Sequence, residues 1–178
     1  MISLPIDEQL IIKATTYVDT HKIGRRKKFN GNRTNQVVGI TGELMVAELL
    51  GATLPETHDF DGGWDFNFSG KQIDVKTVGR TSNARLDYYS NVIEAQIHFK
   101  ATHYLFCSLN KNKRELTICG FISKEDFLRK AEYKKAGDTF TRVNGDTMVL
   151  KATGYFIKNS DLIQIDSIAQ LKELVIFN

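Results

Sequence analysis

Proline and cysteine are both scarce in this chain, with two of each among 178 residues, and there is a single tryptophan. So few prolines leave no Pro-rich linker, and two cysteines cannot build the disulfide framework of a small secreted domain. Cys107 and Cys119 show no metal-ligand spacing and are expected to be reduced and buried. A bridge between them would need an oxidising compartment and a hairpin that sets them face to face. The four histidines, His21, His58, His98 and His103, form no H-x-x-x-H pair and no Cys-His group, which argues against zinc. Neither GxxxxGK[ST] nor GxGxxG occurs, so nucleotide-driven chemistry has no signature here. No apolar run is long enough to span a bilayer, and Met1 to Glu8 lacks the basic-then-apolar order of a secretory signal. These absences lead us to expect a cytoplasmic protein with no membrane partner.

What is present is the composition of an ordinary globular protein, 42% hydrophobic and 25% charged. Such a length suits one domain with a real core, and no repeat, low-complexity tract or linker divides it. The expectation is a single domain over residues 1–178, with an N-terminal helix, a basic loop near 22–35 and a C-terminal elaboration near 123–178.

Charge is unevenly placed. Between residues 22 and 33 stand Lys22, Arg25, Arg26, Lys27, Lys28 and Arg33, with no acid among them. Because the whole chain carries +3 and this stretch +6, everything outside it carries −3. A segment of this kind is either a solvated loop or an arm that neutralises phosphates and releases their counterions. Gly24, Asn30, Gly31 and Asn32 give it the composition of a loop.

The most informative stretch runs from Trp64 to Thr77, WDFNFSGKQIDVKT. Alternation of aromatic with polar residues, then of Ile73 and Val75 with charges, predicts two short strands joined at Ser69-Gly70-Lys71. Trp64, Phe66 and Phe68 are expected on one face and Asp65 and Asn67 on the other, while Asp74 and Lys76 share a face. Paired as a hairpin, the strands set Asp65 beside Asp74. Two carboxylates there can serve as hard ligands for Mg²⁺, which keeps several waters and takes phosphate oxygens readily. A neighbouring lysine can orient water or add positive charge at a phosphoryl group. A D-x-K triplet alone is common, and a surface ion pair is the plain alternative.

Upstream, Gly39 to Gly51 predicts a helix of about three turns, with Thr41 as a candidate N-cap and Gly51 as its stop. Glu43 falls on or beside the stripe of Leu44, Ala47 and Leu50, whereas Glu48 reaches water. A buried-side carboxylate needs a partner, and a metal ion or its water would be one. The alternative is a first-turn charge favoured by the helix dipole.

Glu43 in a Gly-Glu helix, then Asp65, then Ile73-Asp74-Val75-Lys76-Thr77 resembles the PD-(D/E)XK nuclease superfamily, the restriction-endonuclease-like fold. The resemblance covers residues 36 to 122 as an order of elements, and only the three short motifs are specific. It implies an α/β (α+β) fold with a mixed central sheet flanked by helices, and a Mg²⁺-dependent endonuclease of double-stranded DNA, Mn²⁺ being a substitute. Asp65 and Asp74 match the two acids, Lys76 the lysine and Glu43 the helix glutamate; the carbonyl of Val75 becomes a further metal ligand. Trp64 stands where the motif name has proline. Asp59 and Asp61 are rivals for the first acid but precede the expected strand. Gln96 would be the glutamine of a Gln-x-x-x-Tyr motif that Lys100 leaves incomplete, and it is a candidate for phosphate contact alongside the basic stretch. Restriction, homing, junction-resolving and phage roles are all consistent with the resemblance, and a homodimer is implied if both strands are cut at one site. A non-catalytic DNA-binding module of the same fold and a nuclease of structured RNA are the other readings.

The remaining elements are expected as a helix over Asp7 to Thr20, a weak third strand over Leu86 to Tyr89 and a helix over Asn91 to Lys100. Strands follow at His103 to Leu109 and Glu115 to Ile122, then a helix from Ser123 to about Lys134 with a second basic cluster. A hairpin near Asn144-Gly145, a strand at Tyr155 to Lys158 and a closing helix over Asp166 to Leu174 complete the chain.

Overall fold

The computed structural model describes residues 1–21, 32–52, 63–141 and 145–177. At its centre are β5 (His103–Asn110) and β6 (Glu115–Ser123), an antiparallel hairpin whose side chains are buried almost throughout. A strand covered on both faces needs a near-continuous apolar run, which HYLFCSLN and ELTICGFIS supply. On one side β1 (Ile2–Pro5) pairs antiparallel with β6. On the other, β3 (Lys71–Arg80) runs parallel to β5 and carries β2 (Phe66–Phe68) antiparallel on its outer edge. The result is a mixed five-stranded sheet in the order β1-β6-β5-β3-β2.

Helices cover one face of that sheet. The α2 helix (Arg33–Leu50) lies on β3, with α1 (Glu8–His21) behind it and α5 (Ile168–Phe177) alongside. The core between them contains Met45, Val46 and Leu50 of α2, Ile73 and Val75 of β3, and Leu171 and Val175 of α5. Ala14 and Val18 of α1 bury against Ile40 and Leu44. The opposite face is covered by α4 (Lys124–Lys130) and a three-stranded antiparallel sheet of β4 (Tyr89–Ile93), β10 (Gly154–Lys158) and β7 (Glu132–Lys134). Tyr104, Phe106, Phe127 and Ile157 fill the space between. A hairpin of β8 (Thr139–Thr141) and β9 (Thr147–Val149) stands apart as a two-stranded sheet. The class is mixed α+β, a mixed sheet flanked by helices, as the sequence predicts. No described helix is long and apolar enough to cross a membrane.

Several boundaries differ from expectation. The α2 helix begins at Arg33, where the Asn32 side chain accepts a hydrogen bond from the Asn35 N–H at 2.9 Å. Thr41 is therefore mid-helix rather than a cap, and its hydroxyl donates to the Val37 carbonyl four residues back. Gly51 ends the helix in the left-handed region, with φ of 69°. Residues Leu86 to Tyr88 form a turn instead of a strand, because Asn159 and Ser160 take up the carbonyls of Arg85, Leu86 and Tyr88. The expected helix over Asn91 to Lys100 shrinks to α3 (Glu94–Ile97), since Asn91 to Ile93 pair with β10. The helix after Ser123 ends at Lys130, and Glu132 to Lys134 go to the second sheet. Cys107 and Cys119 are free buried thiols, packed in separate cores on opposite faces of the sheet.

Candidate active site

The turn between β2 and β3 is two residues long, with Ser69 at φ 50° and Gly70 at φ 81°. Two positive φ values make the tight hairpin turn whose twist matches that of its strands. The resulting register opposes Phe66 to Ile73, which brings Asp65, one residue before β2, alongside Asp74. Hydrogen bonds fix this. Asp65 N–H donates to the Ile73 carbonyl at 2.8 Å, and Asp65 Oδ2 accepts from Val75 N–H at 2.6 Å. Trp64 has already left the strand and packs with the second core, so it does not share a face with Phe66 and Phe68.

Asp74 and Lys76 point to one face of β3, and Oδ2 stands 2.7 Å from Nζ. The Asp74 side chain is 7% exposed and that of Lys76 20%. This is not the exposed ion pair that a bare D-x-K triplet suggests. Glu43 comes from α2, which lies against β3 so closely that a Cβ at Gly42 would stand 1.9 Å from Thr77 Oγ1. Only glycine permits this approach. It carries Glu43 near enough for its charge to act on both Asp65 and Lys76.

The electrostatics follow from three acids around one amine. Burial first, then the charges of Glu43 and Asp74, push the Asp65 carboxyl well above the ordinary carboxylate range, against the pull of Lys76 and the Val75 N–H. Burial raises Asp74 as well, opposed by Lys76 and more weakly by Lys124. For Lys76, burial disfavours the ammonium, but Asp74, Asp65 and Glu43 together outweigh it and raise the pKa. The ammonium form of Lys76 is thereby favoured, as its 2.7 Å ion pair with Asp74 requires.

The donor chemistry fits a hard divalent ion. Three carboxylates against one ammonium leave a surplus of negative charge in a partly buried place, which a divalent cation would neutralise. Among the described residues no three His, Cys, Asp or Glu side chains form a ready-made metal cage. Asp65 and Asp74 are the two carboxylates of the cluster that could hold such an ion, and Mg²⁺ needs no more than one or two because it keeps several waters. Val75, the further ligand implied by resemblance, is buried in β3, and its N–H already serves Asp65.

Two neighbours were not legible in the sequence. Tyr104 lies opposite Asp74 across the parallel β3-β5 pair, and its buried hydroxyl has no hydrogen-bond partner among the described residues. Burial and the Asp74 charge both raise its pKa. Lys124, at the start of α4, donates to the Phe99 carbonyl at 2.6 Å and senses the Asp74 charge. A polar-tipped aromatic within the apolar run HYLF was the only sign of Tyr104; nothing local marked Lys124.

The expected DNA-contact residues are divided. Lys22, Arg25, Arg26, Lys27 and Lys28 lie outside the described residues, as do Asp59 and Asp61. Arg33 is not part of a basic loop: it opens α2 and makes a two-pronged ion pair with Asp19 at 2.6 and 2.8 Å. Gln96 sits on the four-residue α3, half-buried.

No protein-family model matches the chain, and none of the curated proteins matches it. Its functional reading therefore rests on the residues themselves.

Proposed function

We propose that this protein is a divalent-metal-dependent nuclease that hydrolyses phosphodiester bonds of DNA, of the kind the PD-(D/E)XK resemblance implies. The observation that carries the reading is the gathering of Glu43, Asp65, Asp74 and Lys76 from α2, the entry to β2 and β3 into one partly buried cluster. A structural ion pair needs one acid for one base. Three acids around one lysine raise the cost of ionising the acids, and such unfavourable charge is retained where a site needs it.

Asp65 and Asp74 would hold Mg²⁺ or Mn²⁺, with Glu43 beside them, and the ion would offset charge on the phosphoryl group and activate water. Asp65 is locked by the Val75 N–H, so one oxygen has a fixed direction and the other is left for the site. Lys76 is held 2.7 Å from Asp74, and its ammonium has further N–H donors with which it would orient the attacking water or bond a phosphate oxygen. The stretch 22–28 carries five Lys or Arg and no acid, the charge that an arm holding a polyanion needs.

Incubation of the purified protein with supercoiled plasmid in Mg²⁺, Mn²⁺ or EDTA tests this, with a structured RNA in parallel. Nicking or linearisation of the plasmid in either metal but not in EDTA is expected. Tight, salt-sensitive DNA binding with no cleavage would replace the reading with that of a binding module, and cleavage of the RNA alone would change the substrate.

A further inference from the structure

A second feature lies farther along the same strand. A cleft of about 610 Å³ wraps the C-terminal end of β3 and is bordered by β4, β10 and the β8-β9 hairpin. Its size is that of a site for one small ligand or one monomer unit of a polymer. Side chains two residues apart on a strand share a face, so Asp74, Lys76 and Arg80 point the same way, with Arg80 roughly 13 Å beyond Lys76 at the usual rise per residue.

The lining has two kinds of chemistry. One is cationic. Arg80 stands over the Tyr88 ring at 4.8 Å and donates to the Tyr89 carbonyl at 3.1 Å, which fixes its guanidinium at the cleft wall. Lys111 lies across the bare backbone of Gly79, where a Cβ would be 2.7 Å from its Cε and 3.3 Å from its Nζ. Among the described residues Lys111 has no carboxylate partner, and no carboxylate lines the cleft. The other is aromatic. Tyr89 meets Phe140 edge to face at 5.1 Å, and Phe140 leans on Phe156 at 5.6 Å, forming one apolar wall.

We propose that this cleft receives an unpaired nucleotide of the bound DNA strand, with its base against Phe140 and Tyr89 and its backbone phosphates drawn to the cations that line it, Arg80 and Lys111. The placement rests on the nuclease reading above, because it is the shared strand that puts the cleft beside the reacting phosphate. Aromatic faces accept any base by stacking, and cations track the backbone. A paired duplex shows no base face and is too wide for such a cleft; a strand end, a gap or an extruded base fits.

The test is fluorescence anisotropy in EDTA, where nothing is cut. The probes are a labelled 12-base-pair blunt duplex and the same duplex with a four-thymidine single-stranded extension. The full chain should bind the extended duplex more tightly, and Phe140→Ala should remove about tenfold or more of that preference while leaving blunt-duplex binding as it was. Since Phe140 also packs the hairpin, Lys111→Ala on the exposed β5-β6 turn is the second variant. It should lower the salt dependence for the extended probe by about one phosphate contact, and Lys172→Ala on α5 should not. Equal binding of both probes, or variants that weaken both alike, would overturn the proposal. So would competition by thymidine monophosphate as effective as that by the extended strand. A protein that cuts plasmid yet shows equal binding keeps the nuclease reading and loses the cleft; one that binds the extension selectively but does not cut does the reverse.

Discussion

The Cβ that glycine lacks at position 42 would stand 1.9 Å from Thr77 Oγ1, so the approach of α2 to β3 is set by the absence of one methyl group. The residues that follow and precede this contact are Glu43 and Lys76. One close contact thus positions two members of the cluster at once.

Gly42→Ala is therefore expected to destabilise the protein by about 1–3 kcal/mol, as overpacking does, and to reduce DNA cleavage by more than the loss of folded protein accounts for. Gly39→Ala is the control. Its nearest neighbour would be Glu43 Oε1 at 3.9 Å, so it should gain helix stability by up to about 1 kcal/mol. Urea unfolding of both variants checks the pair.

Asp65→Asn should raise the thermal midpoint of the metal-free protein. The folded carboxyl has its pKa raised, mainly by burial and then by Glu43 and Asp74, above a starting value of 3.8. A raised folded pKa favours folding fully below the unfolded value, and that contribution is lost as pH rises through the folded value. The variant's advantage should accordingly be absent near pH 3.5, present at neutral pH, and reduced when Mg²⁺ is added to the wild type. Calorimetry at several pH values measures it. A variant less stable than wild type at neutral pH would contradict it.

Lys76→Met keeps most of the shape but removes the donor and leaves Asp74 without its cation. Cleavage should fall by roughly 10²-fold or more. The double variant Asp74→Asn, Lys76→Met should be more stable than Lys76→Met alone, since it removes the buried acid that the single change strands. Urea midpoints that simply add would show that the 2.7 Å pair is not energetically coupled.

Cys107 and Cys119 should react slowly with a thiol reagent until the protein unfolds. Burial pushes Cys119 up to about 12 and Cys107 well above its ordinary value. Reaction of both thiols within the mixing time in native buffer would show that the two cores are open.

What the sequence made legible was local. The β2-β3 hairpin follows from alternation and a Ser-Gly turn, the central β5-β6 hairpin from two apolar runs around a polar turn, and the end of α2 from Gly51. The cluster of Asp65, Asp74 and Lys76 came with the first of these. What was not legible depends on partners distant in the chain. The strand β1 has only four residues and pairs with β6 more than a hundred positions away. Asn91 to Ile93 have helical as well as strand spacing, and pairing with β10 decides between them. Leu86 to Tyr88 look extended in isolation, yet Asn159 and Ser160 hold them as a turn. Likewise Thr41 resembles a cap until the helix is seen to start eight residues earlier.

The part played by Asp74 is tested most directly by the rate at which Asp74→Ala converts supercoiled plasmid to nicked or linear DNA at saturating Mg²⁺, compared with wild type prepared in the same way. Metal-dependent conversion by the wild type and none above the EDTA background by the variant is the expected result, with the variant still folded and still binding DNA. Conversion by Asp74→Ala at the wild-type rate would contradict it.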